Sequence, residues 1–133
     1  MELKKINDAL TVSGQPSVDD ITALKNAGVK SIVCNRPNDE EPGQLAYHAL
    51  EKAAKEQGLA FHFMPVISGQ VTRDKGIEFE ALIHRLPQPV HAYCRSGTRC
   101  TTLWALGQLN QGESRAMVLT KAKQAGYDLS KTI

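Results

Sequence analysis

The alternation of short apolar segments with amphipathic helical segments constrains the fold of this chain more than any other feature of its sequence. Apolar runs typical of buried strands occur four times, at residues 8–12, 29–34, 59–66 and 89–94. A turn follows each run, and a segment with helical spacing of apolar residues follows each turn. Strands and helices that alternate in this way form βαβ units around a mostly parallel sheet with helices on both faces. The sequence therefore predicts a single α/β domain over residues 1–133.

Five helices are predicted from their caps and their apolar periodicity. The first has Val18 on its apolar face, and the last starts behind Ser114 as its N-cap. The first four cover residues 17–28, 43–57, 74–86 and 101–112. Gly or Pro stands at or next to the end of each of these segments, as expected for helix stop signals.

Composition excludes several classes of function. The net charge is only +2, and the basic residues are scattered, so the sequence predicts no nucleic-acid partner. No apolar stretch approaches the roughly 20 residues that span a bilayer, so no membrane association is predicted. Three cysteines, without a secretory signal, predict a reducing, cytoplasmic location.

Polar residues follow each predicted strand. In parallel α/β sheets the ligand lies at the carboxyl ends of the strands. This rule selects Gln15, Arg36 and Gln70 as anion- or substrate-binding candidates, together with the loop that begins at Cys94. Turn chemistry alone is the alternative explanation for the first three.

The segment PVHAYCRSGTRC, residues 89–100, combines a strand, a tight loop and a helix start. Backbone N–H groups in such a loop point inward, and the helix N-terminus adds partial positive charge. A thiol there should have its pKa lowered from about 8.5 into the range of roughly 3.5–7.5. We therefore predict that Cys94 is a nucleophile and Arg99 its catalytic cation, with the anion bound by the intervening residues Arg95, Ser96, Gly97 and Thr98. The alternative is a buried, inert cysteine beside a surface arginine.

This loop resembles those of two enzyme families. Dual-specificity phosphatases carry His-Cys, five residues and then Arg, whereas this chain has Tyr93 before the cysteine and four residues before Arg99. The string YCRSGTR is more similar to the active-site loop of rhodanese sulfurtransferases, which carry sulfane sulfur as a cysteine persulfide. A smaller ring suits a persulfide better than a tetrahedral phosphoryl group.

The chain as a whole resembles the DUF442 family, the phosphatase-like domain of beta-lactamase-hydrolase-like proteins. The motifs that carry this resemblance are VSGQP, NRP with EEPGQ, MPV with SGQ, and AYCRSGTR before a Leu-Trp-Ala-Leu helix. The resemblance implies a cysteine-dependent protein-phosphatase-like fold that holds a rhodanese-type loop. It also implies sulfide metabolism, because members occur fused to or beside persulfide dioxygenases of the metallo-beta-lactamase type.

The residue after the arginine departs from the expected pattern. A serine is expected there to support the thiolate, and this chain has Cys100, with Thr101 as a substitute donor. Cys100 could instead act as a resolving thiol that forms a disulfide with Cys94. A small core-facing helix residue is the third interpretation.

The general acid discriminates between the two chemistries. Phosphatases of this fold supply an Asp from the loop after a neighbouring strand, but the segment ISGQVTR, residues 67–73, has no carboxylate. Asp39, Glu40 or Glu41 could substitute, and the spacing favours none of them. Sulfur transfer from thiosulfate needs no acid, because sulfite is a good leaving group.

The sequence accordingly predicts a sulfurtransferase that moves sulfane sulfur from thiosulfate or a persulfide to a thiol acceptor through a Cys94 persulfide, without a cofactor or metal. The alternative is a tyrosine- or dual-specificity-type phosphatase, acting on a phosphate ester through a phosphocysteine. A zinc site at His91, Cys94 and Cys100 is disfavoured, because their spacing fits no compact finger and His91 faces the other side of the strand. A non-enzymatic anion-binding module would keep the loop and have no need of Cys94.

Overall fold

A mostly parallel sheet lies between two layers of helices in the computed structural model, which describes all 133 residues. The strands are β1 (Lys4–Lys5), β2 (Leu10–Ser13), β3 (Ser31–Cys34), β4 (Ala60–Phe63) and β5 (Val90–Tyr93). Their order across the sheet is β1-β2-β5-β3-β4, and only β1 runs antiparallel to its neighbour. The predicted α/β class and mostly parallel sheet are confirmed.

The helices are α1 (Asp20–Asn26), α2 (Tyr47–Glu56), α3 (Arg73–Arg85), α4 (Thr98–Asn110) and α5 (Arg115–Gln124). One face of the sheet packs against α1 and α2 through a core that includes Ile21, Ile32 and Leu50. The other face packs against α3, α4 and α5 through a core that includes Val33 and Leu103. None of the five helices has both the length and the apolar character that a membrane span requires.

Several predicted boundaries were wrong for local reasons. Val18 is 43% exposed because α1 begins only at Asp20. Residues 43–46 are not helical; Gly43 has a φ of +78°, which interrupts helical geometry. The first turn of α4 begins at Thr98, three residues before the predicted start, so Arg99 and Cys100 belong to the helix. The predicted cap at Ser114 is confirmed, since its hydroxyl accepts from the Met117 amide.

The order of the central strands determines what surrounds the Cys94 loop. β5 lies between β2 and β3, and Tyr93 is in register with both Ser13 and Cys34. The residues that follow these three strands therefore emerge side by side at one edge of the sheet. This geometry brings Gln15 and Arg36 to the two sides of the loop.

Candidate active site

The loop after β5 is a tight turn closed by Gly97. Gly97 has a φ of +93°, a left-handed conformation that glycine adopts without strain, and it forms the N-cap of α4. A Cβ atom at this position would overlap the hydroxyl of Tyr127. The amide of Gly97 donates to the Cys94 sulfur at 3.1 Å, so the turn directs a backbone dipole at the thiol.

Cys94 is buried, and its surroundings favour the thiolate. The neighbouring Cys100 thiol is the largest influence, and the backbone amides of the loop, among them that of Gly97, add to it. Together they outweigh the cost of burial and lower the pKa of Cys94 from 9.0 to about 5. The sulfur is therefore ionised at neutral pH, as the prediction of a nucleophile requires.

Cys100 is itself fully buried in the α4 core, and burial raises its pKa well above 9.0. It therefore stays a thiol and can donate its hydrogen to Cys94. Thr101 does not supply this contact, because its hydroxyl donates to the Gly97 carbonyl at 2.8 Å. Cys100 packs in the core, as the third interpretation of the sequence expects, whereas thiolate support and a resolving role stay predictions.

Arg99 is held by Glu40 from the loop between β3 and α2. Its Nη1 donates to Glu40 Oε2 at 2.7 Å and its Nη2 donates to Glu40 Oε1 at 2.8 Å. Nη1 also donates to the Val66 carbonyl at 2.9 Å. This bidentate pair lowers the pKa of Glu40, first through Arg99 and then through Arg36, so Glu40 is a carboxylate at neutral pH.

Arg36 lies beneath this pair with only 2% of its side chain exposed. Its three nitrogens donate to three acceptors: Nε to Glu40 at 3.0 Å, Nη1 to Gln15 at 3.0 Å and Nη2 to Glu41 at 2.7 Å. Gln15 uses its amide nitrogen on the Pro16 carbonyl. Arg36 and Gln15 thus bind each other and the acidic loop, and direct anion binding by either stays a prediction.

A cavity of about 390 Å³ lies beside the loop, and only some of the other predicted site residues line it. Arg95, Ser96, Thr98 and Arg99 line it, together with hydroxyls that include Ser68 and Thr102. The Arg95 side chain is 70% exposed and lies 3.7 Å from Glu41. Gln70 is exposed and does not line the cavity.

The sequence analysis did not identify two residues that contact and stabilise the loop. Tyr127 donates its hydroxyl hydrogen to the Ser96 carbonyl at 3.0 Å, and nothing in the pattern of the last residues predicts this contact. Gly14 packs so closely that a Cβ there would lie 2.8 Å from the Arg95 carbonyl oxygen. The glycine of the SGQ triplet at positions 13–15 was a signal for this approach, although only Gln15 of the triplet was selected as a site residue.

His91 lies on β5, and its ring is fully buried. Its two ring nitrogens bond to the hydroxyls of Thr11 and Ser13 at 2.7 and 2.8 Å. Burial lowers its pKa from 6.5 to about 4, so the ring is neutral at physiological pH. His91 therefore braces β5 against β2.

The pKa of Cys94 predicts the pH dependence of its alkylation. We expect the rate of carbamidomethylation by iodoacetamide to rise through pH about 5, because thiolate replaces thiol there, and to be flat above pH about 7. An ordinary cysteine would react with a midpoint near 8.5. Intact mass against time, from pH 4 to 9, gives the profile.

Cys100→Ala is the diagnostic variant for this profile. A hydrogen bond to a charged group contributes about 1.5–3 kcal/mol, so its loss should move the midpoint up by roughly one to two pH units. An unchanged midpoint would show that the backbone amides alone ionise Cys94.

The sequence is similar to those of known proteins over most or all of its length. A family described as "Beta-lactamase hydrolase-like protein, phosphatase-like domain" matches residues 2–111. A beta-lactamase hydrolase-like protein of Xylella fastidiosa is 34% identical over 134 residues, which cover 100% of this chain and 31% of that protein. The chain thus spans about a third of the length of the curated relatives it matches.

Solved structures show the same fold. A Neisseria meningitidis protein, described as a candidate phosphatase, superposes with a TM-score of 0.88 at 31% identity, covering 96% of this chain and 90% of that one. TpbA of P. aeruginosa, crystallised with pTyr as a Cys-to-Ser variant, has a TM-score of 0.67 at 17% identity, over 96% of this chain and 76% of that one. At this level of identity the second likeness concerns the fold alone.

Proposed function

Because this chain belongs to the family of phosphatase-like domains of beta-lactamase hydrolase-like proteins, we propose that it is a cysteine-dependent phosphatase. The observation that carries the proposal is a buried Cys94 with a pKa of about 5, placed in an amide-lined loop that ends at Arg99. The thiolate would attack the phosphorus of a phosphate monoester as the P–O bond to the leaving group breaks. Water would then hydrolyse the phosphocysteine, and the amides and Arg99 would bind the phosphoryl oxygens in both steps.

The comparisons favour this phosphatase alternative over the sulfurtransferase that the loop sequence predicted. Three of the solved relatives are described as phosphatases or candidate phosphatases. The thiosulfate donor, the thiol acceptor and the dioxygenase partner are without support from them.

Sulfur transfer stays as a second candidate for two reasons, the short loop and the lack of a suitable general acid. Only four residues separate Cys94 from Arg99, and the segment 67–73 brings no carboxylate to the site. Glu40 and Glu41, which contact the arginines of the site, both have lowered pKa values because these arginines bind them. Glu2, which lines a second cavity with Arg95 and Ser96, has its pKa lowered by Lys4. None of the three is suited to hold a proton for a leaving group.

The missing acid predicts a strong dependence of hydrolysis on the leaving group. A general acid contributes about 10²- to 10⁴-fold to such reactions. We therefore expect an aryl phosphate with an acidic phenol, such as p-nitrophenyl phosphate, to be hydrolysed faster than an alkyl phosphate by at least about that factor. The kcat/KM values for a series of phenols of increasing pKa measure it.

Two measurements decide between the two chemistries: intact mass after incubation with excess thiosulfate, and phosphate release from an aryl phosphate. Phosphate release without a sulfur adduct supports the phosphatase. A gain of one sulfur at Cys94 with negligible phosphate release overturns it and supports the sulfurtransferase.

In the leaving-group series, equal rates for alkyl and acidic aryl phosphates would show that a general acid operates that we have not identified.

A further inference from the structure

The contact between Glu40 and Arg99 occupies only part of the guanidinium. Glu40 binds the end of the group, one N–H from each of Nη1 and Nη2, and the Val66 carbonyl takes the second N–H of Nη1. No protein group accepts from Nε or from the remaining N–H of Nη2. These two donors lie on the same edge of the planar group, which is the geometry for bidentate binding of an oxyanion.

The free edge belongs to the site because Arg99 closes the Cys94 loop. Burial lowers the pKa of Arg99, but the contact with Glu40, and after it the charge of the Cys94 thiolate, raise it above its ordinary value. Arg99 also lines the cavity beside the loop, together with Ser96 and Thr98. Only 10% of the Arg99 side chain is exposed, so the guanidinium has little room for other orientations. The orientation of the free edge therefore depends on what holds the opposite end.

Hydrogen bonds hold Glu40 in place from two directions, one from buried Arg36 and the other within its own loop. Its Oε1 accepts from Arg36 Nε at 3.0 Å, and Arg36 is buried and anchored by Gln15 and Glu41. The Glu40 amide donates to the Gln44 side chain at 2.9 Å, and Gln44 returns a hydrogen bond to the Pro37 carbonyl. Buried Arg36 thus holds Glu40, and Glu40 holds Arg99.

We propose that Glu40 is a positioning residue, which turns the Nε–Nη2 edge of Arg99 toward the transferred anion. This proposal rests on the proposed role of Arg99 in the active site, and it applies equally to a phosphoryl or a thiosulfate oxyanion. Glu40 does not line the cavity beside the loop. The two arginines lower the pKa of Glu40 and keep it ionised. An ionised carboxylate can hold the Arg99 guanidinium, but it has no proton to donate as a general acid.

Glu40→Gln tests the clamp, because a carboxamide cannot accept hydrogen bonds from both Nη groups. We expect kcat for an acidic aryl phosphate to fall about 10- to 100-fold, the usual cost of a misplaced catalytic group. KM should not rise, since removing a carboxylate from the site also removes repulsion of the anion. Enzyme concentrations are normalised by titrating the alkylatable Cys94.

Glu80→Gln is the matched control. Glu80 is as buried as Glu40, with 15% against 20% of the side chain exposed, and it also accepts from several donors. Those donors are His84, Gln108 and Gln111, which lie on α3 or at the far end of α4. This variant should lose a similar amount of stability and keep kcat within threefold.

A double-mutant cycle with Arg99→Lys separates positioning from a merely structural role. Lysine lacks the two-donor edge, so Glu40 would have nothing to orient. In the Arg99→Lys background we expect Glu40→Gln to change kcat less than threefold. An equal loss in both backgrounds, or a loss under threefold in the wild-type background, would overturn the proposal.

A spectroscopic measurement keeps the proposal testable even if the protein turns over no phosphate ester. The bidentate contact restricts rotation of the Arg99 guanidinium, so its Nη protons should give separate NMR signals, assigned by their loss in Arg99→Lys. Glu40→Gln should merge these signals, and Glu80→Gln should leave them separate. Separate Nη signals in the Glu40→Gln variant would overturn the positioning role of Glu40. If the wild type hydrolysed no phosphate ester but the signals still merged in Glu40→Gln, only the proposed function would be overturned.

Discussion

Replacement of Cys94 by serine is expected to lower the turnover of an acidic aryl phosphate by roughly 10⁴- to 10⁶-fold, as for the loss of other catalytic nucleophiles. The loop ionises a thiol with a pKa of about 5 in this site. A serine hydroxyl is a far weaker acid, so the same amides cannot make it an anion at neutral pH. Phosphate release and intact mass after exposure to thiosulfate measure the two candidate reactions on the same sample.

Cys34→Ser is the control for this substitution. Cys34 is also buried near the site, and burial raises its pKa, so it is no nucleophile. Its thiol donates to the Arg36 carbonyl at 3.2 Å, a contact that a serine hydroxyl can keep. We expect activity within a few fold of wild type. If the Cys94→Ser protein retained full phosphate release, neither a phosphocysteine nor a persulfide at Cys94 could be the intermediate, and both candidate mechanisms would be overturned.

The sequence predicted the loop well because its chemistry is local. A strand, a cysteine, a glycine that takes positive φ and an arginine follow each other within ten residues, from Val90 to Arg99. Parallel strand order then brings the residues after β2 and β3 to the same edge, which is why Gln15 and Arg36 were found by the strand-end rule.

The roles of those two residues could not be predicted, because they depend on tertiary partners. Nothing in the segment NRPNDEEPG shows that Arg36 points inward and is 2% exposed, or that Glu40 reaches Arg99 across the sheet edge. Spacing alone left Asp39, Glu40 and Glu41 equivalent, whereas hydrogen bonds distinguish them. The exposed Asp39 has a φ of +62° and serves as a turn residue.

The choice between the two chemistries could not be predicted from the sequence for a related reason. Loop length and the lack of a carboxylate in the segment 67–73 favoured sulfur transfer, and both features are present in the structure. They describe the nucleophile and the leaving group, but the reaction also depends on which anion fits between the loop amides and Arg99. Glu40 and Val66 leave one two-donor edge of Arg99 free, and this edge does not by itself distinguish a phosphoryl from a thiosulfate oxyanion.

Replacement of Arg36 by methionine is expected to cost more stability than any change to the exposed arginines. Three acceptors lose their donor at once, and two of them are carboxylates. Breaking a buried ion pair usually costs about 3–5 kcal/mol. Glu41 can rehydrate, because 44% of its side chain is exposed, so we expect a loss of about 3 kcal/mol in the free energy of unfolding. For a chain of this size that corresponds to a Tm lower by roughly 10–15 °C.

Arg95→Met provides the comparison, since the Arg95 side chain is 70% exposed and makes one long contact with Glu41. Its substitution should change the free energy of unfolding by no more than about 0.5 kcal/mol. Urea denaturation of both variants at pH 7 gives the two values. Similar losses for the two arginines would contradict a buried, stabilising role for Arg36.

The acid side of the stability curve gives a second check on Arg36. Arginine contacts lower the pKa of Glu40 and Glu41 below 4.5 in the folded protein. Such groups contribute stability that is present above pH 4.5 and is lost as the pH falls through their folded pKa values. The difference in the free energy of unfolding between wild type and Arg36→Met should therefore be largest at pH 7. It should shrink below pH 4.5, because protonated carboxyls no longer form ion pairs with the guanidinium. A difference that stays constant down to pH 3 would assign the stabilisation to packing of the Arg36 side chain and not to its charge.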